Sequence, residues 1–189
     1  MLIGKIITLK TITSTVNTSN SSGKMKWWHC FIILVIANVI SIIPAGFNGD
    51  EAFYNNFLQP GIAPPDWLFA PMWLFLNITS LIGLYTISNL PVNTKNRGSI
   101  ITLEYLAWGL FAIFTFLYFY LKSPILGAID TVLGLIIVVI VVFKSYPISL
   151  KSFCCFLPRL FWLLLAAYVS VWVAIHNQDM LFNIGPFIR

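Results

Sequence analysis

The chain has 189 residues, of which 59% are hydrophobic and only 9% are charged. Soluble domains carry about 25% charged residues, so this chain has too few charges to build a water-facing surface. The composition therefore excludes an ordinary soluble domain and predicts a multi-pass membrane protein that forms one compact bundle. The net charge of +5 does not indicate nucleic-acid binding, because the lysines and arginines form no basic run with interleaved aromatic residues.

The first 26 residues are rich in Ser, Thr and Asn and contain four lysines but no acidic residue. This composition predicts a disordered, basic N-terminal tail over residues 1–26. It also fits a targeting peptide, or an extension ahead of a chain that starts at Met25. The sequence does not decide between these alternatives.

Five apolar segments follow, each about 20 residues long, which is enough to cross a hydrocarbon core of about 30 Å as a helix. They cover residues 27–47, 67–88, 99–121, 124–143 and 153–175. Helices are predicted rather than strands, because the runs are continuously apolar and lipid offers no partner for a free backbone N–H. The fold class is therefore an all-α integral membrane bundle of five helices over residues 27–177, with a C-terminal tail over 178–189.

The basic residues are divided unequally between the two sides that five spans create. One side would hold nine of the eleven, namely Lys5, Lys10, Lys24, Lys26, Lys95, Arg97, Lys144, Lys151 and Arg159. The other side would hold only Lys122 and Arg189. The positive-inside rule then predicts a cytoplasmic N-terminus and a C-terminus on the opposite side.

The connection between the first two spans, residues 48–66, is long, aromatic and rich in proline. Its prolines fix φ and exclude a helix there, and Gly61 permits a sharp turn. Such a stiff loop would cover the bundle as a lid; the alternative is an interfacial loop whose aromatic side chains only anchor in the headgroup region. The next helix is predicted to begin at Asp66, a good N-cap residue, with Trp67 at the interface level and Pro71 in its early turns.

This region carries the pattern Y-x-x-[LF]-x-x-P-x-x-x-P-P-x-W-x-x-x-P-x-W. Its residues here are Tyr54, Phe57, Pro60, Pro64, Pro65, Trp67, Pro71 and Trp73. The pattern resembles that of the translocator protein family, also called tryptophan-rich sensory proteins or peripheral benzodiazepine receptors. Two family positions differ, since the family's tryptophan before the tyrosine is Phe53 here and its lysine before the proline is Gln59.

The resemblance extends over about residues 27–177. Further family positions match at Pro124, Asp130, Pro158, Trp162, Ala166 and Asn177. Others depart: the third-span asparagine and tryptophan fall on Phe111 and Phe114, and the fifth-span tyrosine and asparagine fall on Arg159 and Ser170. The chain thus resembles a divergent member of the family, which implies the same five-helix membrane fold.

Trp73 and Trp162 are the main candidates for a ligand site. Trp162 lies four residues after Pro158 and four before Ala166, so these three share one helix face, and the small alanine leaves a slot beside the tryptophan. Tryptophans on two helices could hold a flat aromatic ligand between them; the alternative is that both are packing or interface residues. The resemblance favours the ligand site, because family members place the matching tryptophans in a porphyrin-binding cavity.

The resemblance also extends the predicted ligand site to other residues. The full set is Tyr54, Pro64, Trp67, Trp73, Phe111, Phe114, Asp130, Trp162 and Ala166. Asp130 lies about six residues inside the fourth span, where a carboxylate must face the bundle, be paired or be neutral. It could contact a ligand or proton, or anchor two helices by a hydrogen bond. Glu104 is predicted to reach the membrane interface near Lys95, Arg97 or Arg159.

Neither the histidines nor the cysteines indicate a metal site. His29 and His176 lie near span ends on opposite sides, so they cannot bind one metal ion together. One of them could be an axial haem ligand, but interface positions are the simpler interpretation. The three cysteines lie in or near apolar runs, with no metal-site or disulfide spacing. We predict no metal and no required cofactor, with a tetrapyrrole as the ligand.

The resemblance implies a receptor-like or transporter-like protein that binds tetrapyrroles such as protoporphyrin IX or haem, with a sensory or regulatory role. Sterol-like lipids are a further candidate, although Tyr168 lacks the basic residue of the family's sterol motif. One alternative is an enzyme that degrades porphyrin in light, with Trp73 and Trp162 as catalytic candidates. Another is a membrane scaffold or small transporter subunit.

The expected partners are the lipid bilayer and a second copy of the chain. The homodimer is implied by the family resemblance. The fourth span offers one face of small residues for close helix contact, made of Gly127, Ala128, Thr131 and Gly134.

Overall fold

The computed structural model describes residues 24–47 and 56–188, with the backbone alone for residues 44–47. Its five α-helices are α1 (Trp27–Phe47), α2 (Phe69–Ser88), α3 (Arg97–Thr115), α4 (Pro124–Ser145) and α5 (Leu150–His176). A 3-10 turn, Asp66–Leu68, leads into α2, and a π-helical turn, Phe116–Tyr120, continues α3. The five predicted helices and the all-α fold class are confirmed, and each helix, together with the turn that adjoins it, begins and ends within a few residues of its predicted span. The tail over residues 1–23 lies outside the described residues.

Within residues 24–47 and 56–188, four helical stretches are long and apolar enough to cross a membrane, namely Asp66–Ser88, Arg97–Tyr120, Pro124–Ser145 and Leu150–His176. In α1 the corresponding apolar stretch, Trp27–Ile43, is shorter. Large apolar side chains such as Ile136, Phe143 and Phe161 face outward along these helices. Such a surface suits lipid rather than water, so the chain is a multi-pass membrane protein.

Serine caps define the starts of the last two helices. The hydroxyl of Ser123 accepts a hydrogen bond from Leu126 N at 3.1 Å, and Pro124 occupies the first turn, where its missing N–H is tolerated. Ser149 caps α5 in the same way through Ser152 N at 3.2 Å. Among the described helices, α4 and α5 form the most extensively packed pair.

Asp66 is not the N-cap residue that the sequence predicted. It is the first residue of the 3-10 turn, and its Oδ1 accepts from the adjacent Trp67 N at 2.7 Å. Pro65 holds the chain extended immediately before this turn, so one tight turn precedes the α-helix and the position before α2 falls on Leu68. Pro71 lies in the first turn of α2, as predicted.

The two ends of the bundle differ in packing. We call the end that holds Ser88, Arg97, Ser145 and Leu150 the packed end, and the end that holds Asp66, Pro124 and His176 the cavity end. A continuous apolar core fills the packed end; its buried members are Ile87, Ile100, Val138, Val141, Val142, Phe156 and Leu163. Met25 joins this end as well, since its carbonyl oxygen accepts a hydrogen bond from Asn89 Nδ2 at 3.1 Å.

The small-residue face of α4 packs inside the chain. Gly127, Ala128, Thr131 and Gly134 are all buried, and a Cβ at Gly127 would lie 2.6 Å from the Tyr118 ring. The predicted close contact at this face is therefore made within the chain, by the π-turn and α5, and the face is not available to a second copy. The homodimer itself stays a prediction.

Arg159 does not lie in a loop. It falls within α5, and only 3% of its side chain is exposed. Counting it among the nine basic residues on the N-terminal side was therefore wrong, because a buried acidic partner on α3 allows it to remain inside the bundle. Without Arg159, the sequence still assigns eight basic residues to the N-terminal side and two to the other, so the imbalance that predicts the orientation persists.

Candidate functional site

A cavity of about 550 Å³ opens between α2, α3, α4 and α5 toward the cavity end. Ligand pockets for small molecules have volumes of about 300–1,000 Å³ and are mostly apolar with a few polar groups. This cavity fits that description, since aromatic and aliphatic side chains form most of its wall and a few polar side chains interrupt it.

The structure brings the predicted site residues together. All eight that lie among the described residues line this cavity: Pro64, Trp67, Trp73, Phe111, Phe114, Asp130, Trp162 and Ala166. Tyr54, the ninth, lies outside the described residues. The eight come from the 48–66 loop, the following 3-10 turn and four helices, so the site is a product of the tertiary fold.

The two candidate tryptophans lie on different helices and each packs against another aromatic ring. Trp73 on α2 meets Phe111 of α3, with ring centroids 5.1 Å apart and an interplanar angle of 44°. Trp162 on α5 meets Phe69 edge-on at 5.7 Å. Trp162 is 7% exposed, and its Nε1 has no hydrogen-bond partner among residues 24–47 and 56–188. A buried indole N–H usually finds a partner, so this donor is available to a ligand in the cavity.

The π-turn adds a further aromatic wall that the sequence did not reveal. The extra residue per turn brings the Tyr118 ring parallel to that of Phe114, with centroids 5.5 Å apart and an angle of 10°. Leu110 also lines the cavity, together with Tyr118. The sequence could have indicated both residues, because Leu110, Phe114 and Tyr118 are spaced four residues apart and therefore share one helix face.

Part of the loop after α1 is fixed onto the cavity end. Asn177 Oδ1 accepts from Leu58 N at 2.8 Å, and Asn177 Nδ2 donates to Leu58 O at 3.0 Å. The Phe57 ring lies edge-on to Tyr118 at 6.1 Å. Ala63 N donates to Pro60 O at 2.9 Å, which confirms the predicted turn. These contacts hold the described part of the loop beside the cavity.

The segment after α5 closes the same end. Asp179 is fully buried, and its Oδ2 accepts from Ser123 Oγ at 2.6 Å and from Ile125 N at 3.0 Å. Its Oδ1 accepts from the backbone N–H groups of Leu181 and Phe182, both at 3.0 Å. The carboxylate therefore ties the residues after α5 to the first turn of α4. Sequence reasoning missed this role, because no periodic pattern marks the segment.

Glu104 does not reach the membrane interface, so that prediction was wrong. It is fully buried; its Oε2 accepts from Ser80 Oγ at 2.6 Å and pairs with Arg159 Nη1 at 3.4 Å. Burial of a carboxylate is tolerated because an arginine and a hydroxyl on neighbouring helices compensate it. Arg159 was one of the three neighbours that the sequence suggested.

The Arg159 guanidinium forms part of the cavity wall. Its central carbon lies 5.4 Å from the centroid of the Trp108 ring, which is within cation–π range. Asp130 lines the cavity as well, is 6% exposed, and has no hydrogen-bond partner for Oδ1 in the described part of the chain. The cavity wall thus holds one cationic side chain, Arg159, and two acidic ones, Asp66 and Asp130, among mostly aromatic and aliphatic side chains.

The histidines and cysteines lie away from this cavity. His29 stacks on Trp28 near the start of α1, and His176 stacks on Trp172 at the end of α5, both with centroids 3.8 Å apart. The two histidines therefore lie at opposite ends of the bundle, as predicted. The three cysteines are free thiols.

Comparison with known proteins agrees with this architecture. The model of the TspO/MBR family matches residues 30–175. The chain is 26% identical over 153 residues to the "Tryptophan-rich protein TspO" of Archaeoglobus fulgidus, covering 77% of this chain and 98% of that protein. It is 27% identical over 148 residues to the "Tryptophan-rich protein TspO" of Chlorobaculum tepidum, covering 73% and 92% respectively. With a family match over most of its length, the chain belongs to the TspO/MBR family.

Proposed function

We propose that this protein binds a flat, largely apolar ligand of the tetrapyrrole class, such as protoporphyrin IX or haem, and acts as a sensor or carrier of it. The observation that carries the proposal is that Trp73 and Trp162, from two helices, line one cavity together with Phe111 and Phe114. Aromatic rings pack favourably on the faces and edges of a flat conjugated ligand. Sterol-like lipids are the second ligand class that the apolar walls would admit.

The lid role of the 48–66 loop belongs to the same proposal. Pro64 lines the cavity, and Asn177 holds the nearby Leu58 by two hydrogen bonds. A ligand would then enter when this part of the loop separates from the end of α5. Loops that open and close over a site commonly control access and release.

The orientation of the site across the membrane is also proposed. Lys95, Arg97, Lys144 and Lys151 lie at the packed end, so the positive-inside rule supports a cytoplasmic location for that end. The cavity would then open toward the opposite side of the membrane. Labelling of a single cysteine introduced at Leu58 in intact cells or spheroplasts by an impermeant maleimide tests this placement, provided that the native cysteines are replaced by serine or alanine.

The test of the function is a titration of protoporphyrin IX into the purified chain in detergent, followed by quenching of tryptophan fluorescence. Trp73→Phe and Trp162→Phe are the site variants, and Trp172→Phe is the matched control, because Trp172 lies on α5 but does not line the cavity. We expect saturable quenching that either site variant weakens several-fold and the control leaves unchanged. Quenching that is no stronger than that of an unrelated membrane protein would remove the tetrapyrrole function.

The same samples separate binding from degradation. Under illumination, the wild type of a light-dependent enzyme would lose porphyrin absorbance. A Trp73 or Trp162 variant that still binds porphyrin but keeps its absorbance would then indicate this enzyme instead of a carrier or sensor. Stable absorbance in the bound state favours binding alone. A scaffold or small transporter subunit predicts no saturable binding of any flat aromatic ligand.

A further inference from the structure

The packed-end side of the cavity wall carries a guanidinium with unused donors. Only Nη1 of Arg159 pairs with Glu104, whose Oε2 lies 3.4 Å away. Its Nε and Nη2 are buried and have no hydrogen-bond partner among the described residues. A buried donor without a partner leaves its lost hydration uncompensated, and the cost is larger when the group is charged, so two such donors on one guanidinium favour the binding of an acceptor.

The geometry of the unused donors is specific. Nε and Nη2 form one edge of the planar guanidinium, and their N–H bonds point in parallel, which is the arrangement that binds both oxygens of a carboxylate. Glu104 holds the opposite part of the group, and the Trp108 ring lies against it at 5.4 Å. The fork is therefore held in place before any ligand arrives, which reduces the ordering cost of binding.

The position of Arg159 within the cavity indicates how an acidic ligand would be oriented. Thr131 Oγ1 lies 3.4 Å from Ser170 Oγ, so Asp130 sits beside the level of Ser170. Ser170 follows Arg159 by eleven residues on α5, which corresponds to about 16 Å along the helix. Arg159 thus lies deep, toward the packed end, whereas the acidic Asp130 lies near the cavity end. An acid group would be repelled near Asp130 and attracted near Arg159.

We propose that the cavity selects ligands that carry a carboxylate, and that Nε and Nη2 of Arg159 bind this group at the deep end while the apolar body of the ligand lies along the aromatic walls. The inference rests on the proposed function and names the chemical class that the site accepts: flat or elongated apolar acids, in preference to their esters. Glu104 positions Arg159 and also opposes the incoming anion, so its two effects can be separated by substitution.

Protoporphyrin IX and its dimethyl ester test the proposal, because they share the ring and differ only in the two acid groups. Both are titrated into the full chain in detergent by tryptophan fluorescence quenching. The variants are Glu104→Gln and the double variant Glu104→Gln/Arg159→Gln, which leaves two neutral amides and no unpaired buried charge. Since acid and ester partition differently into micelles, the readout is the ratio of their affinities in each variant relative to the wild type.

We expect the acid-to-ester affinity ratio to fall about tenfold or more in the double variant, as loss of a charge-assisted hydrogen bond implies, while ester affinity stays near that of the wild type. The unchanged ester affinity shows that the variant is folded. In Glu104→Gln the ratio should be equal to or above that of the wild type, because the opposing charge is gone and Arg159 remains.

A ratio that is the same in the wild type and the double variant would overturn the inference and leave the proposed function standing. A ratio that falls as far in Glu104→Gln as in the double variant would also overturn it, because the effect would then follow the ion pair and not the arginine fork. Absence of saturable binding of both compounds by the wild type would overturn the proposed function, and this inference with it.

Discussion

Gly83 of α2 packs directly against the Phe156 ring of α5, and this contact provides a test of the packing. A Cβ at this position would lie 2.6 Å from Cε1 and 2.7 Å from Cζ of Phe156. Carbon atoms in contact are normally about 3.5–4.0 Å apart, so the Phe156 ring would have to move by about 1 Å. Phe156 is fully buried in the apolar core of the packed end, so no free space receives it.

The expected magnitude follows from two opposing terms. Overpacking of a well-filled core costs about 1–3 kcal/mol. Replacing glycine by alanine inside a helix returns up to about 1 kcal/mol. The matched control is Gly109→Ala in α3, because that position is exposed and an added Cβ meets nothing within 4 Å. We therefore expect Gly83→Ala to be less stable than Gly109→Ala by about 1–3 kcal/mol, since the helix propensity term cancels between them.

Unfolding by SDS in mixed micelles, followed by tryptophan fluorescence, measures the difference. A second substitution tests its cause: in Gly83→Ala/Phe156→Leu the overlapping ring is removed, so the two changes should be less destabilising together than the sum of their separate effects. Coupling of at least about 1 kcal/mol is expected for residues in direct contact. Equal midpoints for the two alanine variants, or simple additivity of the pair, would refute the reasoning.

Two further predictions concern the cavity end. Asn177→Ala removes the hydrogen bonds to both backbone groups of Leu58, so amide hydrogen exchange over residues 56–65 should accelerate about tenfold or more, corresponding to the ~1–2 kcal/mol expected from lost hydrogen bonds. The control Gln178→Ala changes an exposed neighbour and should leave the exchange rates unchanged. Equal rates in the two variants would show that the Asn177 side chain does not hold the loop. Ala166→Leu places a larger side chain into the cavity, so the affinity for protoporphyrin IX should fall about tenfold or more, because the side chain occupies space that the ligand needs. The midpoint of unfolding in SDS should change little. Retained affinity would place the ligand elsewhere.

The helices were predictable because each depends on local information. Every span is a continuous apolar run of sufficient length, and lipid allows such a run only as a helix. The start of α4 at Pro124 could be placed because a proline in the first turn needs no partner for its missing N–H. The start of α2 was predicted one turn too early, at Asp66, because the amino-acid sequence after Pro65 does not distinguish a 3-10 turn from the first turn of an α-helix.

The candidate site was partly predictable, and the missing part is tertiary. The family pattern identified Trp73, Trp162 and Asp130, all of which line one cavity. Glu104 was assigned to the membrane interface because the sequence of one helix reveals an acidic residue in an apolar run but not which residues of other helices face it. Its partner Arg159 lies on another helix, 55 positions further along the chain, and only packing brings the two charges together.

The hydrogen bonds of Asn177 and Asp179 also bear on the order in which the protein is assembled. Both residues follow all five helices in the chain, and Phe187 N returns to donate to Ile175 O at 2.8 Å. Since a chain is synthesised from its N-terminus and folds in that direction, the bundle can insert before these contacts exist. The cavity end is therefore completed after the last helix has been made, and a stalled or truncated chain that lacks Asp179 would have the helices without the fastening between α4 and α5 at the cavity end.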